Sequence, residues 1–347
     1  MAPAVTVAIP TRNRATLLRQ ALESLAAQTT NDFEVVVCDN ASDDATPEVV
    51  REFAPMARLE RSPIDIGFAA NHLRALSSGD GRYVTILQDD DLVDPTSIER
   101  RIALLDGRPD ASMAHTAFRI ADIDLHVSEP AANWDGSPVD VVRDPADFFR
   151  RTFTDGRRSH LSASLYRRSA IDAATLDLRD AEVIELAVSL RCALHGPVAF
   201  LAEPLGTIRY HPQQNAVHSG VADADLAFER TFAQIALFRE CADRFLRLFG
   251  DRLDDTEALR RGARRWVAFE LRRQVLLRLP GGARPLAADA LLRDAARVEP
   301  GILRDPRTLW ILPHAVTGTR GRRRLASLRR RRAHPSPLVA ASEGQRT

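Results

Sequence analysis

An apolar strand that ends in three adjacent carboxylates is the feature that most restricts the fold of this chain. The segment runs from Tyr83 to Pro95 and reads YVTILQDDDLVDP. Its first half is rich in β-branched and apolar residues, which is typical of a strand buried inside a sheet. Asp89, Asp90 and Asp91 therefore follow at the point where the sheet ends and a site can open.

The three carboxylates have two interpretations. Adjacent carboxylates repel one another, so each must stay solvated or be neutralised by a cation. Carboxylate oxygens on a short turn suit a hard divalent ion such as Mg²⁺ or Mn²⁺, which in turn binds phosphate oxygens. The alternative is a solvated acidic turn that begins the next helix, with Asp94 and Pro95 as its start signal. This segment alone does not decide between the two.

The rest of the N-terminal half alternates strand and helix signals. Short apolar runs at residues 5–9, 33–38 and 57–61 are separated by segments with helical spacing, such as residues 15–28. This alternation predicts the α/β class, with helices on the faces of a mostly parallel sheet. Residues 124–142 contain two prolines and a glycine, and we expect a loop there. From residue 222 onwards the pattern is helical.

Composition limits the function classes. Hydrophobic residues make up 45% of the 347 residues and charged residues 27%, which predicts a packed globular core. A net charge of +1 argues against a general nucleic-acid binder. The three cysteines lie far apart, without metal-ligand or redox spacing, and fit a reducing compartment. No apolar stretch reaches the roughly 20 residues that span a bilayer, and the N-terminus shows no secretory signal pattern. We therefore expect a cytoplasmic protein.

Three regions are predicted along the chain. Residues 1–215 carry the α/β pattern, residues 216–316 form a helical C-terminal region, and residues 317–347 form a basic, disordered tail. The arginines of the tail suit peripheral contact with anionic lipid at the inner face of the membrane. A solvated tail is the alternative. The oligomeric state stays open, a homodimer included.

Four polar groups of residues follow the ends of predicted strands. They are Pro10-Thr11-Arg12-Asn13, Asp39-Asn40-Ala41-Ser42, the segment from Gly67 to Asn71, and Asp89-Asp90-Asp91. Ligands of open α/β sheets bind at this edge. The order and spacing of these groups resemble the family 2 glycosyltransferases, which are inverting enzymes of the GT-A fold. The resemblance covers about residues 3–215.

The resemblance implies roles for these residues. Asp90 and Asp91 would bind Mn²⁺ or Mg²⁺, and Asp89 would contact the sugar or the ribose. Gln88 stands where many members of the family have an aspartate, so the choice of the two metal ligands stays open. The nucleotide-sugar site would also include Pro10, Thr11, Arg12, Asn13, Asp39, Asn40, Ser42 and Asn71. Alternatives are turn chemistry for Asp39 and Ser42 and helix capping for Asn71.

An inverting transfer also needs a general base for the acceptor hydroxyl. The resemblance places it near the start of the predicted helix at residues 181–195, on Asp180, Glu182 or Glu185. The ordinary alternative is a set of acidic residues favoured by the helix dipole. Arg209 and His211 occupy the positions of an arginine and a histidine that close the family pattern. They would face the diphosphate, or His211 would bind the metal.

These observations predict a metal-dependent inverting glycosyltransferase. It would move a sugar from a nucleotide-diphosphate-sugar, UDP favoured and GDP or dTDP as alternatives, to a hydroxyl on a glycan, a lipid-linked acceptor or a small molecule. Cell-surface polysaccharide or glycoconjugate biosynthesis is the expected context. One alternative is a catalytically degenerate nucleotide-sugar-binding or scaffold protein. A sugar nucleotidyltransferase is disfavoured because residues 10–14 contain no glycine.

Overall fold

The computed structural model describes residues 2–129, 139–153, 159–178, 183–209 and 238–278. Within these residues a sheet of ten strands is flanked by helices, which confirms the α/β class. The strands are β1 Val5–Thr11, β2 Phe33–Asp39, β3 Ala57–Arg61, β4 Tyr83–Ile86, β5 Leu92–Val93, β6 Met113–Ala121, β7 Val127–Glu129, β8 Val139–Val142, β9 Ser164–Arg167 and β10 Val198–Arg209. The helices are α1 Ala15–Ala26, α2 Thr46–Glu52, α3 Phe68–Leu76, α4 Ser97–Asp106, α5 Pro145–Phe153, α6 Arg168–Ala173, and two later helices at Ile184–Cys192 and Thr256–Arg278.

The first four strands form a parallel block in the order β3-β2-β1-β4. Every residue of β1 and β4 is buried, as expected for parallel strands that helices cover on both faces. Helix α1 presents Leu18, Ala21, Leu22 and Leu25 to the core, as expected for an amphipathic helix. The carboxyl ends of β1, β2 and β4 therefore meet at one edge of the sheet.

The second half of the sheet is mixed and brings the end of β10 to the same edge. Strand β9 runs antiparallel between β4 and β6, while β10 runs parallel to β6. The short strand β5 follows the three aspartates directly and pairs with β10, with Leu92 opposite Thr207 and Val93 opposite Gly206. This pairing places the last residue of β10, Arg209, beside the aspartates.

The prediction of a loop over residues 124–142 is wrong at both of its ends. Strand β7 pairs with β6, and β8 pairs antiparallel with residues 198–201 of β10. Prolines and a glycine do mark turns. However, partners more than fifty residues away along the chain decide whether β8 forms, and a local pattern does not show them. Residues 130–138 lie outside the described part.

The chain divides into two compact units, residues 1–266 and residues 267–347. The helical residues from 238 to 266 belong to the first unit. Two ring contacts join them to α5: Phe245 stacks on Phe149 with ring centroids 5.6 Å apart, and Trp266 lies edge-on to Phe153 at 5.9 Å. The predicted boundary at residue 215 and the basic tail at residues 317–347 lie outside the described residues and stay predictions. Among the described helices, none combines the length and apolar character that crossing a membrane requires.

Candidate active site

The loops after β1 and β2 are fastened to each other by hydrogen bonds. The backbone N–H of Asn13 donates to Ser42 Oγ at 2.9 Å, and Asn13 Oδ1 accepts from the N–H of Asp43 at 2.8 Å. The N–H of Asn40 donates to the carbonyl of Thr11 at 3.0 Å. Asn13 has a φ of 54°, in the left-handed region that asparagine tolerates better than most residues. Asn13 and Ser42 thus fix the positions of these two loops relative to each other.

Asp39 stabilises the turn that follows β2. Its Oδ1 accepts from the N–H of Ser42 at 3.0 Å and from the hydroxyl of Ser42 at 2.5 Å, and Arg61 Nε lies 3.4 Å from its Oδ2. The side chain is completely buried. This geometry is the turn chemistry that the sequence left open as the alternative. Contact of Asp39 with a nucleoside stays a prediction.

A cavity lies at the carboxyl edge of the parallel strands. Its lining includes six of the predicted site residues, namely Pro10, Thr11, Arg12, Asn40, Asn71 and Asp89. The other lining residues are Arg14, Asp65, Gly67, Phe68, His72 and Gln88. The cavity therefore gathers residues from the first, second, third and fourth polar groups of the sequence at one place.

Asp65 joins the residues at the rim of this cavity. It forms an ion pair with Arg12, accepts from Asn40 Nδ2 at 2.6 Å and accepts from the N–H of Gly67 at 2.8 Å. Gly67 has a φ of +84°, and a Cβ there would meet nothing within 4 Å. Backbone conformation, rather than space, therefore favours glycine at this position.

Asn71 lies inside α3 and does not cap it, because the N-cap of that helix is Gly67. The capping alternative is therefore wrong. The buried Asn71 side chain donates from Nδ2 to the carbonyl of Cys38 at 2.9 Å, and its Oδ1 accepts no hydrogen bond from the described residues. That oxygen is an acceptor available to a ligand in the cavity that Asn71 lines.

The three aspartates are buried, with 4%, 2% and 0% of Asp89, Asp90 and Asp91 exposed. A solvated acidic turn is therefore excluded. Asp89 accepts from Thr11 Oγ1 at 2.7 Å and from Arg14 Nη1 at 2.9 Å, and the same Arg14 nitrogen lies 3.0 Å from Asp90 Oδ2.

Asp91 is held from the opposite half of the sheet. It accepts from Ser162 Oγ at 2.5 Å and from the backbone N–H of Arg209 at 3.0 Å. Both halves of the sheet thus meet on this acidic turn.

Burial disfavours the ionised form of these carboxylates, so three unpaired negative charges are costly here. Desolvation raises the pKa of Asp89 to about 6, although the charge of Arg14 opposes this rise. Desolvation likewise raises the pKa of Asp91 to about 7, with His160 opposing it. An added cation would relieve both effects. The donor set is made of oxygens only, so the site fits a hard divalent ion such as Mg²⁺ or Mn²⁺.

Arg14 is a site residue that the sequence analysis missed. It directly precedes α1, and its carbonyl accepts the first bond of that helix from Leu18. Only 8% of its side chain is exposed. Desolvation alone would lower the pKa of Arg14, but the neighbouring Asp89 and Asp90 outweigh it and raise the pKa. Three adjacent carboxylates need a positive partner, and this need was the one signal in the sequence that pointed to a cation such as Arg14.

Arg209 approaches the aspartates from β10. It is completely buried, and none of its three guanidinium nitrogens has a hydrogen-bond partner among the described residues. Desolvation lowers its pKa, and the charges of Asp90 and Asp91 oppose this change. A buried guanidinium that lacks acceptors is costly, so Arg209 suits an anionic ligand such as a phosphate group.

Glu185 is the described member of the three candidate bases. It lies in the first turn of the Ile184–Cys192 helix with 37% of its side chain exposed. His160 lies between it and the acidic turn, with Nε2 at 4.0 Å from Glu185 Oε2 and Nδ1 at 3.8 Å from Asp91 Oδ2. The Nδ1 atom accepts from the N–H of Ser162 at 3.3 Å, which assigns the ring proton of neutral His160 to Nε2, towards Glu185.

His160 and Ser162 were also missed, because nothing local distinguishes the segment Ser159-His160-Leu161-Ser162 from an ordinary polar turn before a strand. Two other candidate bases, Asp180 and Glu182, lie outside the described residues, as does His211. Their roles stay predictions.

A second group of possible ligands lies elsewhere. Asp122, Asp124 and His126 follow β6 close together, and all three are exposed. Asp122 Oδ1 accepts from the N–H groups of Asp124 and His126, which is the bonding of a local turn. Metal binding by the buried carboxylates at Asp89–Asp91 stays a prediction.

Comparison with known proteins agrees with this geometry. The family model described as Glycosyl transferase family 2 matches residues 6–172. This match confirms the predicted resemblance to the family 2 glycosyltransferases over this segment. An uncharacterised protein of Mycobacterium tuberculosis is 28% identical over 209 residues, covering 57% of this chain and 56% of that protein. The putative glycosyltransferase EpsH of Bacillus subtilis is 24% identical over 175 residues, covering 49% of each chain.

The chain thus spans about half the length of these curated relatives. The solved structure of S. aureus TarS in complex with UDP has a TM-score of 0.52 and 17% identity, covering 86% of this chain and 91% of that chain. At this level of identity the likeness shows the fold, which is the GT-A fold of glycosyltransferases.

Proposed function

We propose that this protein is a metal-dependent, inverting glycosyltransferase that uses a nucleotide-diphosphate-sugar donor and a hydroxyl acceptor. One observation carries the proposal. Buried carboxylates that suit a divalent ion, a buried guanidinium that suits a phosphate and an exposed carboxylate that suits a base all converge on the turn at residues 89–91. An inverting transfer needs these three chemistries in one place.

Each group has a defined task in the proposed reaction. Asp90 and Asp91 would hold the divalent ion, which supplies Lewis-acid stabilisation of the leaving diphosphate. The acceptor oxygen forms a bond to the anomeric carbon while the bond from that carbon to the diphosphate oxygen breaks. The hydroxyl proton passes to Glu185, and the electron pair of the broken bond stays on the diphosphate. Arg209 donates charge-assisted hydrogen bonds to that diphosphate.

The nucleoside would occupy the cavity that Thr11, Arg12 and Asn40 line. UDP is the favoured donor nucleotide, because the structurally similar TarS was solved with UDP and with UDP-GlcNAc. GDP and dTDP donors are the alternatives. For the acceptor we propose a hydroxyl of a growing glycan or lipid-linked saccharide, in keeping with cell-surface polysaccharide synthesis.

Thermal-shift measurements test this proposal. The full chain is measured with UDP, GDP, dTDP and CDP, each with and without Mn²⁺, since a ligand that binds only the folded state raises its stability. We expect one nucleotide to raise the Tm in Mn²⁺ and to lose this effect in Asp90→Asn. The control Asp110→Asn, at an exposed residue paired with Arg143, should respond like the wild type. No shift with any of the four nucleotides would contradict the proposal.

A further inference from the structure

We propose that Arg14 is an exchangeable counter-ion: it holds Asp89 and Asp90 while the donor is absent, releases Asp90 when a divalent ion binds that carboxylate, and moves to the donor diphosphate. This inference rests on the proposed function. Its consequence is that the divalent ion and the nucleotide bind cooperatively, and that the ion alone binds weakly.

The position of Arg14 supports the first half of the inference. A single nitrogen, Nη1, bridges Asp89 Oδ1 at 2.9 Å and Asp90 Oδ2 at 3.0 Å. The side chain is 8% exposed, so water screens this contact little. The ion pair therefore gives the buried carboxylates a positive partner before any metal arrives.

Entry of a divalent ion at Asp90 makes this contact unfavourable. A carboxylate oxygen lies about 2.1 Å from Mg²⁺, and Asp90 Oδ2 is already engaged by a cation at 3.0 Å. A guanidinium and a dication on the same oxygens also repel each other strongly at low dielectric. In the proposed exchange Arg14 therefore leaves Asp90 when the ion binds, and metal binding without nucleotide bears the full cost of releasing it.

The donor offers Arg14 a new partner close by. Arg14 lines the same cavity as Thr11 and Asn40, where the nucleotide is proposed to bind. Its backbone is fixed by the hydrogen bond from Leu18 at 2.9 Å, so the movement is a rotation of the side chain. A diphosphate presents several oxygens to a guanidinium, which favours paired, charge-assisted bonds. Nucleotide binding thus offsets the cost of releasing Arg14, and this coupling is reciprocal.

The test compares Mn²⁺ binding with and without nucleotide. Free Mn²⁺ is measured by electron paramagnetic resonance during titration of the full-length wild type, Arg14→Met and Arg12→Met. Methionine keeps the length of the side chain but removes its charge. Arg12 serves as the matched control because it lines the same cavity but pairs with Asp65 instead of the acidic turn.

We expect Arg14→Met to bind Mn²⁺ alone about tenfold more tightly than the wild type, while its affinity for UDP in saturating Mn²⁺ falls about tenfold; each factor corresponds to about 1.4 kcal/mol. Arg12→Met should leave the affinity for Mn²⁺ alone unchanged. Arg14→Gln, which keeps a hydrogen-bond donor, should shift both affinities in the same directions and serves if Arg14→Met does not fold.

Equal or weaker binding of Mn²⁺ alone by the folded Arg14 variants would overturn the inference. Because this first measurement uses no nucleotide, it reads the role of Arg14 separately from the proposed function. A wild type that binds none of the four nucleotides would instead remove the proposed function, and with it the second half of the exchange.

Discussion

The imidazole Nε2 of His160 lies 4.0 Å from Glu185 Oε2. This arrangement connects the exposed carboxylate of Glu185 to the buried acidic turn, since the other ring nitrogen of His160 faces Asp91 at 3.8 Å. A base must sit at a fixed place relative to the reacting carbon. Through His160, a residue in the first turn of a late helix thus lies near a turn nearly one hundred residues earlier in the chain.

Glu185→Gln should lower kcat about 100-fold or more, because general bases typically contribute factors of 10² to 10⁴. The affinity for UDP in Mn²⁺ should stay unchanged, since the amide keeps the shape of the side chain. Steady-state kinetics and calorimetry measure the two effects, and Glu23→Gln at an exposed site is the control. Full activity in Glu185→Gln would transfer the role to Asp180 or Glu182.

His160→Gln should lower kcat about tenfold with little change in KM for the donor, because we expect His160 to position Glu185 instead of binding the nucleotide. Glutamine keeps a donor near the place of Nε2, whereas His160→Ala removes it and should have a larger effect. Kinetics of both variants separate a positioning role from a structural one. A rise in KM with kcat unchanged would contradict the assigned role.

Ser162→Ala should reduce the free energy of unfolding by about 1–3 kcal/mol, the usual cost of leaving buried polar groups unpaired. Its hydroxyl donates to Asp91 Oδ2 and accepts from the N–H of Gln88 at 3.1 Å. Urea denaturation measures the change. Ser77→Ala is the matched control, because that exposed hydroxyl bonds only the carbonyl of Leu73 within its own helix; equal losses in the two variants would refute the prediction.

His115 should make the protein less stable in acid. It is buried on β6 against Phe200, with ring centroids 4.8 Å apart, and desolvation lowers its pKa to about 3. Above the unfolded pKa of about 6.5 the residue is neutral in both states and has no effect. As the pH falls below about 6.5, His115 becomes protonated in the unfolded state but stays neutral in the folded state. Stability is then lost at about 1.4 kcal/mol per pH unit.

Other groups also change stability in this range. Desolvation lowers the pKa of buried His72, which acts in the same direction, whereas the raised pKa values of Asp89 and Asp91 act in the opposite direction. The contribution of His115 is therefore read as a difference. Unfolding of the wild type and of His115→Gln is compared between pH 7 and 5, with the exposed His126→Gln as control. Parallel curves for the wild type and His115→Gln would disprove the assignment.

Local patterns predicted the parallel half of the fold well. The strand Ala57–Arg61 has the predicted bounds, and α1 lies within the segment 15–28 for which helical spacing was found. Apolar periodicity is a property of neighbouring residues, so one sequence shows it. The acidic turn could also be recognised from the sequence, because its three carboxylates belong to consecutive residues.

Residues assembled by long-range pairing were not predictable. Ser162 and His160 reach Asp91 only because β9 inserts between β4 and β6. Strand β8 likewise depends on antiparallel pairing with β10. Arg14 could have been found by asking which cation accompanies three buried carboxylates, but its identity depends on the fold that brings residue 14 to residue 89.

We expect the buried carboxylates at residues 89–91 to bind a donor diphosphate through a divalent ion. Isothermal titration calorimetry of UDP into the full-length wild type and Asp90→Asn, each with and without Mn²⁺, tests it most directly. We expect UDP to bind the wild type at least tenfold more tightly in Mn²⁺ and Asp90→Asn to lose this gain. Equal UDP affinity with and without Mn²⁺, or an undiminished gain in Asp90→Asn, would contradict it.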